Sequence, residues 1–181
     1  SGLSNASSSY FHNSINGYHA AKLRRFQEYY DYLSLHDNEK LFNSLNVKYL
    51  IAKDENNEDQ LYQNPDALGN AWSVDSLITV DTADELLVKL KDTDISKVAL
   101  SMNNSVPSFI SKVYNSGDLV KIEKTKISSS HISYEFESLS DQLIVFSEIY
   151  YPSGWEVYVD DIKSEYFDVN YIFRGMVVPS G

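Results

Sequence analysis

Residues 148–179, EIYYPSGWEVYVDDIKSEYFDVNYIFRGMVVP, decide the fold. Apolar and polar side chains alternate along much of this stretch, the two-residue period of a half-buried strand. Pro152-Ser153-Gly154 interrupts the first run with residues that favour turns. Asp160-Asp161 marks a second reversal, because Asp tolerates left-handed backbone. Residues 163–167 and 171–178 then read as strands. In the last one, Tyr171, Phe173 and Val177 share one face, and Ile172, Arg174, Met176 and Val178 share the other. Apart from Arg174 both faces are apolar, so this strand is expected at the centre of a sheet. A half-buried Arg174 requires an acid or carbonyl partner, and Asp168 or Glu148 is the expected acid. Trp155 alternates inward with Val157 and Val159 and is expected in the core.

The same strand pattern extends upstream. Residues 119–127, 131–137, 142–150 and 155–160 read as strands joined by short turns, which predicts an antiparallel meander or sandwich. In 131–137, Ile132, Tyr134 and Phe136 alternate against Ser133, Glu135 and Glu137. Before residue 117 the pattern differs. A helix is predicted over 18–33, with Leu23, Phe26, Tyr30 and Leu33 as its apolar stripe and Asn16 or Gly17 as its cap. A second helix over 37–45 starts at Asp37 and turns Leu41, Phe42 and Leu45 inward. A short buried strand is expected at 47–52, then an acidic loop at 54–59. That loop lacks the sixth-position Gly and distal Glu of a calcium-binding EF-hand.

A turn-rich connector at 64–70 leads to a strand at 71–80. Thr82 caps a helix over 83–91, Glu85 completes a capping box, and Leu86, Leu87 and Leu90 face inward. A strand at 97–100, a loop at 102–107 and one or two helical turns at 108–114 follow. The predicted class is therefore α+β. A small α/β subdomain over 1–116 precedes an antiparallel β subdomain over 117–181, the two separate or joined in one compact unit.

Bulk composition excludes several functions. A net charge of −11 lacks the basic footprint that nucleic acid requires and disfavours adsorption to an anionic membrane. Without cysteine there is no disulfide, zinc-thiolate or thiol chemistry. The longest apolar runs, such as Leu143-Ile144-Val145-Phe146, fall far short of the roughly 20 residues that span a bilayer. The 14 Tyr suit sheet faces and loop rims, and the same side chains also suit sugar contact.

Catalytic motifs are not apparent. None of His12, His19, His36 and His131 has the i, i+4 partner of a helical zinc site, so neither metal nor cofactor is expected. No nucleophile elbow or phosphate-cradling glycine loop occurs. Asp160-Asp161 makes a poor carboxylate dyad, since adjacent strand residues point apart. No catalytic residue is assigned. The candidate ligand site is basic: Lys22, Arg24 and Arg25, with Tyr18 and His19, at the start of the first helix. Cations there oppose the helix dipole. Local pairing with Glu28 explains them, and a patch for a phosphate or carboxylate is the functional alternative.

Several motifs occur together in a recognisable order. They are Tyr10-Phe11-His12-Asn13-Ser14-Ile15, then residues 17–25 (GYHAAKLRR), then Leu45-Asn46-Val47-Lys48-Tyr49 and Ala67-Leu68-Gly69-Asn70-Ala71-Trp72. Tyr150-Tyr151-Pro152-Ser153-Gly154-Trp155, Val159-Asp160 and Asn170-Tyr171-Ile172-Phe173-Arg174-Gly175, running on to Val178-Pro179-Ser180-Gly181, complete the series. In this order they resemble the extracytoplasmic end of the YfhO-type bacterial membrane proteins, in a Bacteroidetes-type version. Trp155, Asn170, Tyr171, Arg174 and Gly175 form the signature. Two departures stand out. Asp160-Asp161 replaces an expected Asp-Gly, which leaves the turn type open. The chain also stops at Gly181, where the family continues into another strand and a membrane helix.

The resemblance implies a piece of a polytopic membrane protein similar to GT-C glycosyltransferases, which act on cell-envelope glycans from lipid-phosphate sugar donors. The acid of such enzymes lies in a region absent from this sequence. The implied role is an accessory or substrate-recognition domain, extracytoplasmic and tethered to the membrane. Its implied partners are the membrane-embedded remainder of its own chain and a glycan or lipid-linked sugar. Two alternatives belong to other classes. A carbohydrate-binding β-sandwich predicts exposed aromatics, and a structural domain packing on membrane helices predicts an exposed apolar patch or open sheet edge. A hydrolase is the least favoured.

Overall fold

The computed structural model describes residues 23–128 and 130–181, together with Ile15. Tyr18, His19 and Lys22 lie outside the described residues, as do the proposed caps Asn16 and Gly17. The fold is α+β, with the helices in the N-terminal half and most of the strands after them.

The first described helix, α1 (Arg24–His36), follows Leu23 and buries Tyr29 and Leu33. It runs beyond the expected end at residue 33, and its face is centred on Tyr29 rather than on Leu23, which is exposed. Asp37 ends α1 and starts α2 (Asn38–Ser44), where its carboxylate accepts from the Lys40 backbone N–H. The expected buried strand is instead β1 (Tyr49–Lys53), which is largely exposed. It pairs antiparallel with β2 (Asp59–Gln63), so the acidic loop is the turn of a hairpin. The Asp54 carboxylate holds that turn by accepting from the Asn56 and Glu58 backbone N–H groups.

The single strand expected over 71–80 is two: β3 (Ala71–Val74) and β4 (Ser76–Val80), in different sheets. Asp75 breaks them apart, with its carboxylate accepting from the Ser116 backbone N–H at 3.0 Å and from the Ser116 hydroxyl. Helix α3 (Ala83–Asp92) carries the expected cap, with Glu85 N–H donating to Thr82 Oγ1. The Glu85 carboxylate reaches back to the Asp81 N–H. Strand β5 (Val98–Met102) lies parallel to β4. Residues 108–114 form turns and bends rather than helix, and Val113 bridges to Ser76.

The C-terminal half holds β6 (Leu119–Ile127), β7 (Ile132–Ser138), β8 (Gln142–Ile149), β9 (Val157–Val159), β10 (Ile162–Ser164), β11 (Phe167–Val169) and β12 (Phe173–Val178). The central sheet has the order β11-β12-β8-β3, and every pairing in it is antiparallel. The terminal strand is therefore internal, as its two apolar faces require. Since β3 belongs to the same sheet, the sheet crosses the expected boundary near residue 116.

Both faces of this sheet are covered. Leu143, Val145 and Phe173 join the larger core with Tyr29 and Leu33 of α1, Leu41 of α2 and Leu86 of α3. Ile144, Met176 and Val178 face a smaller cluster with Ile122, Phe136 and Val157 from the β6–β7 and β9–β10 hairpins. Alternation along β8 thus buries one side chain after another on opposite faces. Phe173 sits between Tyr29 and Trp72, edge-to-face at 5.6 and 5.9 Å.

The segment before β12 departs from expectation. Residues 163–167 divide between β10 and β11, and β12 begins at Phe173 rather than Tyr171. Asn170 and Tyr171 adopt left-handed backbone, φ 48° and 74°, and form the tight turn between β11 and β12. The Asn170 side chain replaces a strand neighbour there. Its Oδ1 accepts from Leu100 N–H at 2.8 Å, and the Asn170 backbone N–H donates to Leu100 O at 2.7 Å, tying β5 to the turn. Gly175 is needed because a Cβ would stand 2.6 Å from Val169 Cγ1 across the strand pair.

Candidate functional site

Arg24 and Arg25, the described members of the basic cluster, are both paired. Arg24 Nε donates to Glu28 Oε1 at 2.7 Å on the surface. Arg25 reaches across to the terminal turn, where its Nη1 lies 3.0 Å from Asp168 Oδ2. Its guanidinium also stacks over the Tyr171 ring, 4.8 Å from the centroid. The Tyr171 hydroxyl donates to Glu28 Oε2 at 2.6 Å. Arg25 and Glu28 on α1, with Asp168 and Tyr171, therefore clamp the start of α1 to the β11–β12 turn, while Arg24 pairs with Glu28 on the surface. Glu28 is held below the usual carboxylate range, first by the Tyr171 hydroxyl and then by Arg24. Burial, then the bond to Glu28, pushes Tyr171 up to about 12.

Arg174 does not find the acid partner expected of it. Asp168 is taken by Arg25, and Arg174 Nε donates to the Ile149 carbonyl at 3.1 Å. Its guanidinium lies 4.4 Å from the centre of the Trp155 ring. Burial lowers its pKa from the ordinary value. Trp155 is consequently not a core residue: it is half-buried and packs on Arg174. A planar cation beneath an indole fixes the ring and adds cation–π attraction.

Trp155 lines an open cavity of about 460 Å³ with Pro152, Ser153, Gly154, Glu156, Lys163 and Tyr166. Gly154 N–H donates to Tyr151 O, closing the turn that forms one wall. Tyr166 fixes the other wall, its hydroxyl donating to the Trp155 carbonyl at 3.2 Å and its ring packing edge-to-face on Tyr150. Glu156 accepts from the Tyr158 hydroxyl at 2.9 Å and from Lys163 Nζ. Asp160 and Asp161, at φ 49° and 65°, make the type I′ turn of the β9–β10 hairpin. Tyr151 and Tyr158 stand half exposed nearby. Trp155 and Tyr166 are thus the aromatic residues that line a cleft whose rim carries a carboxylate and an ammonium.

A third cluster was not singled out from sequence. Lys124 Nζ donates to Glu148 Oε1 at 3.0 Å, and the Tyr134 hydroxyl donates to the same oxygen at 2.7 Å. Burial and Glu148 raise the Tyr134 pKa. Lys124 and Tyr134 are cross-strand partners in the β6–β7 hairpin, so the register of that hairpin alone brings two of the three side chains together. Among the described residues, no three His, Asp or Glu side chains gather as metal ligands, and no helix is long and apolar enough to cross a membrane. His36 and His131 stand apart and exposed, the latter bonded to Ser133.

No protein-family model, curated protein or solved structure matches the chain.

Proposed function

We propose that this chain is an extracytoplasmic accessory domain that recognises glycan through the Trp155 cleft and does no chemistry itself. The observation that carries this reading is the placement of Trp155. It is half-buried, backed by Arg174 at 4.4 Å and set in the wall of an open cleft. A sugar ring offers C–H groups to an aromatic face and hydroxyls to surrounding polar groups. Glu156, Lys163, Ser153 and Ser164 line the same cleft and supply such groups. The polar rim suits a neutral or weakly charged saccharide. The ordered series of sequence motifs supports a parent membrane protein resembling GT-C glycosyltransferases. In that setting the domain stands on the extracytoplasmic side, tethered through the membrane-embedded remainder of its chain, and presents a glycan or lipid-linked sugar.

The proposal is tested by applying the purified chain to an array of neutral and acidic bacterial-type oligosaccharides. Retention on a subset of glycans, lost in Trp155→Ala and kept in Arg24→Ala, supports it. Retention lost in Arg24→Ala and kept in Trp155→Ala returns the ligand to the basic helix. No retention by any glycan refutes the recognition role.

A further inference from the structure

Glu156 lines the Trp155 cleft just before β9, with both carboxylate oxygens held. Oε2 accepts from the Tyr158 hydroxyl at 2.9 Å, and Oε1 accepts from Lys163 Nζ. The β9–β10 hairpin builds this arrangement. Tyr158 and Lys163 are cross-strand partners, and Glu156 precedes Tyr158 by one strand period, so all three side chains share one face of the ribbon. The tight turn at Asp160 and Asp161 fixes the register. Lys163 and then Tyr158 hold Glu156 below the usual carboxylate range, so it is ionised at neutral pH. The plane of the carboxylate is thereby set before a ligand arrives, which lowers the ordering cost of binding. An ionised carboxylate has about four lone-pair sites, and the two bonds leave about half of them open. The Glu156 side chain is 59% exposed, so solvent and ligand can reach them. The other polar groups of the cleft offer less. The Ser164 hydroxyl donates to the Ile162 carbonyl, Lys163 is already bonded to Glu156, and Ser153 carries a single hydroxyl. Among the described lining residues, Glu156 is the one with two acceptor oxygens in a fixed plane.

We infer that Glu156 determines the specificity of the cleft, accepting one hydrogen bond on each oxygen from two adjacent hydroxyls of a sugar ring stacked on Trp155. The inference rests on the glycan reading of this cleft and names the class of glycan, a neutral saccharide with an unsubstituted vicinal diol. Trp155 directly precedes Glu156, so one short segment supplies both the platform for the ring and the acceptors for its edge. Bonds from hydroxyls to an ionised carboxylate are charge-assisted and roughly twice as strong as neutral ones. A ring with one of the two hydroxyls consumed by a glycosidic linkage leaves one oxygen without its donor. A phosphate or carboxylate at that edge brings no donor and meets the Glu156 charge, while the neighbouring cation, Lys163, is already paired. Because the carboxylate is open to solvent, water replaces a missing hydroxyl, and discrimination is about tenfold rather than the far larger factors of a buried polar site.

Calorimetric titration of the whole 181-residue chain with cellohexaose, mannohexaose and laminarihexaose tests it. The first two keep an adjacent pair of hydroxyls free on every ring. The linkage of laminarihexaose consumes the middle one of three hydroxyls and leaves its internal rings without such a pair. The expected result is binding of cellohexaose or mannohexaose about tenfold tighter than of laminarihexaose. Glu156→Gln turns one acceptor into a donor, and Glu156→Ala removes both. Each is expected to abolish the preference while the circular dichroism and melting temperature stay unchanged, since the residue is exposed. Equal affinity of the wild-type chain for all three, with binding still lost in Trp155→Ala, overturns the inference and leaves the glycan reading standing. A preference that survives in Glu156→Gln and Glu156→Ala also overturns it. No binding of any hexaose overturns it together with the reading on which it rests.

Discussion

Arg25 Nη1 lies 3.0 Å from Asp168 Oδ2, joining the first turn of α1 to the strand that precedes the terminal turn. The Asp168 side chain is only 4% exposed, while that of Arg25 is 38% exposed. The pair is thus asymmetric, and removing either member has a different cost. Arg25→Ala leaves a buried carboxylate without its cation. That destabilises by about 2 kcal/mol, below the range of a fully buried pair because solvent reaches the arginine. Arg25→Ala with Asp168→Ala costs less than the two single changes summed. Arg24→Ala, on the surface, leaves the melting temperature unchanged. Thermal unfolding of the four variants measures all of this, and equal effects of Arg24→Ala and Arg25→Ala would contradict it.

Gly175 is a packing requirement. Its absent Cβ would stand 2.6 Å from Val169 Cγ1 and 3.1 Å from Cγ2. Gly175→Ala is expected to cost about 1–3 kcal/mol through overpacking. Val169→Ala in the same chain should recover part of the loss, since it vacates the colliding methyls. Denaturant midpoints for the single and double variants decide this, and a Gly175→Ala midpoint equal to wild type would count against it.

Asn170 does two jobs at once, holding φ at 48° and accepting from the Leu100 N–H. Asn170→Gly keeps the backbone freedom and loses the acceptor, leaving a buried N–H unpaired at about 1–3 kcal/mol. Asn170→Ala adds the left-handed strain and is expected to be worse than Asn170→Gly. Amide exchange at Leu100 should quicken in both variants. An unchanged Leu100 exchange rate would show that another group satisfies it.

Stability should depend on pH through the Glu28–Tyr171 bond. Glu28 sits below its ordinary 4.5, so its contribution is present above pH 4.5 and lost as pH falls through the lowered value. Tyr171 is raised from 10.0 to about 12, so its contribution is present below pH 10.0 and lost as pH climbs to about 12. Tyr171→Phe removes the tyrosine's contribution and its share of the effect on Glu28, leaving the share that Arg24 supplies. The melting-temperature gap between wild type and this variant is expected to be widest between pH 4.5 and 10.0 and to close on both sides. A gap that stays constant with pH would rule the linkage out.

Local rules made much of the fold legible. The caps at Asp37 and Thr82, the β6–β7 alternation, the Pro152–Gly154 turn and the central place of β12 all follow from neighbours in sequence. The misreadings come from a partner far along the chain or, for β1, from the lack of one among the described strands. Tyr171 favours strand, yet it adopts φ 74° and bonds to Glu28 on α1. Residues 71–80 look continuous, yet Ser116 captures Asp75 and splits them. Apolar β1 looks buried, yet its only described neighbour strand is its own hairpin mate. The site behaved likewise. Arg174 and Trp155 both stand out in the sequence, but their stacking depends on a bulge between Phe173 and Arg174 and on the path of 150–166. The charges of the basic helix are visible in the sequence, whereas nothing local to Asp168 indicates that it faces Arg25.

The glycan reading stands or falls with the exposed side of Trp155. Trp72 is buried, 7% exposed, with its Nε1 donating to Ile95 O, so a ligand that quenches or shifts tryptophan emission reports on Trp155. The direct measurement is a fluorescence titration of wild type and Trp155→Phe with neutral hexaoses such as cellohexaose, laminarihexaose and mannohexaose. The account predicts a saturable change with at least one of them in wild type. It also predicts at least a tenfold weaker interaction for Trp155→Phe by calorimetry, with an unchanged melting temperature. No saturable change with any glycan, or equal affinity in both proteins, would contradict it.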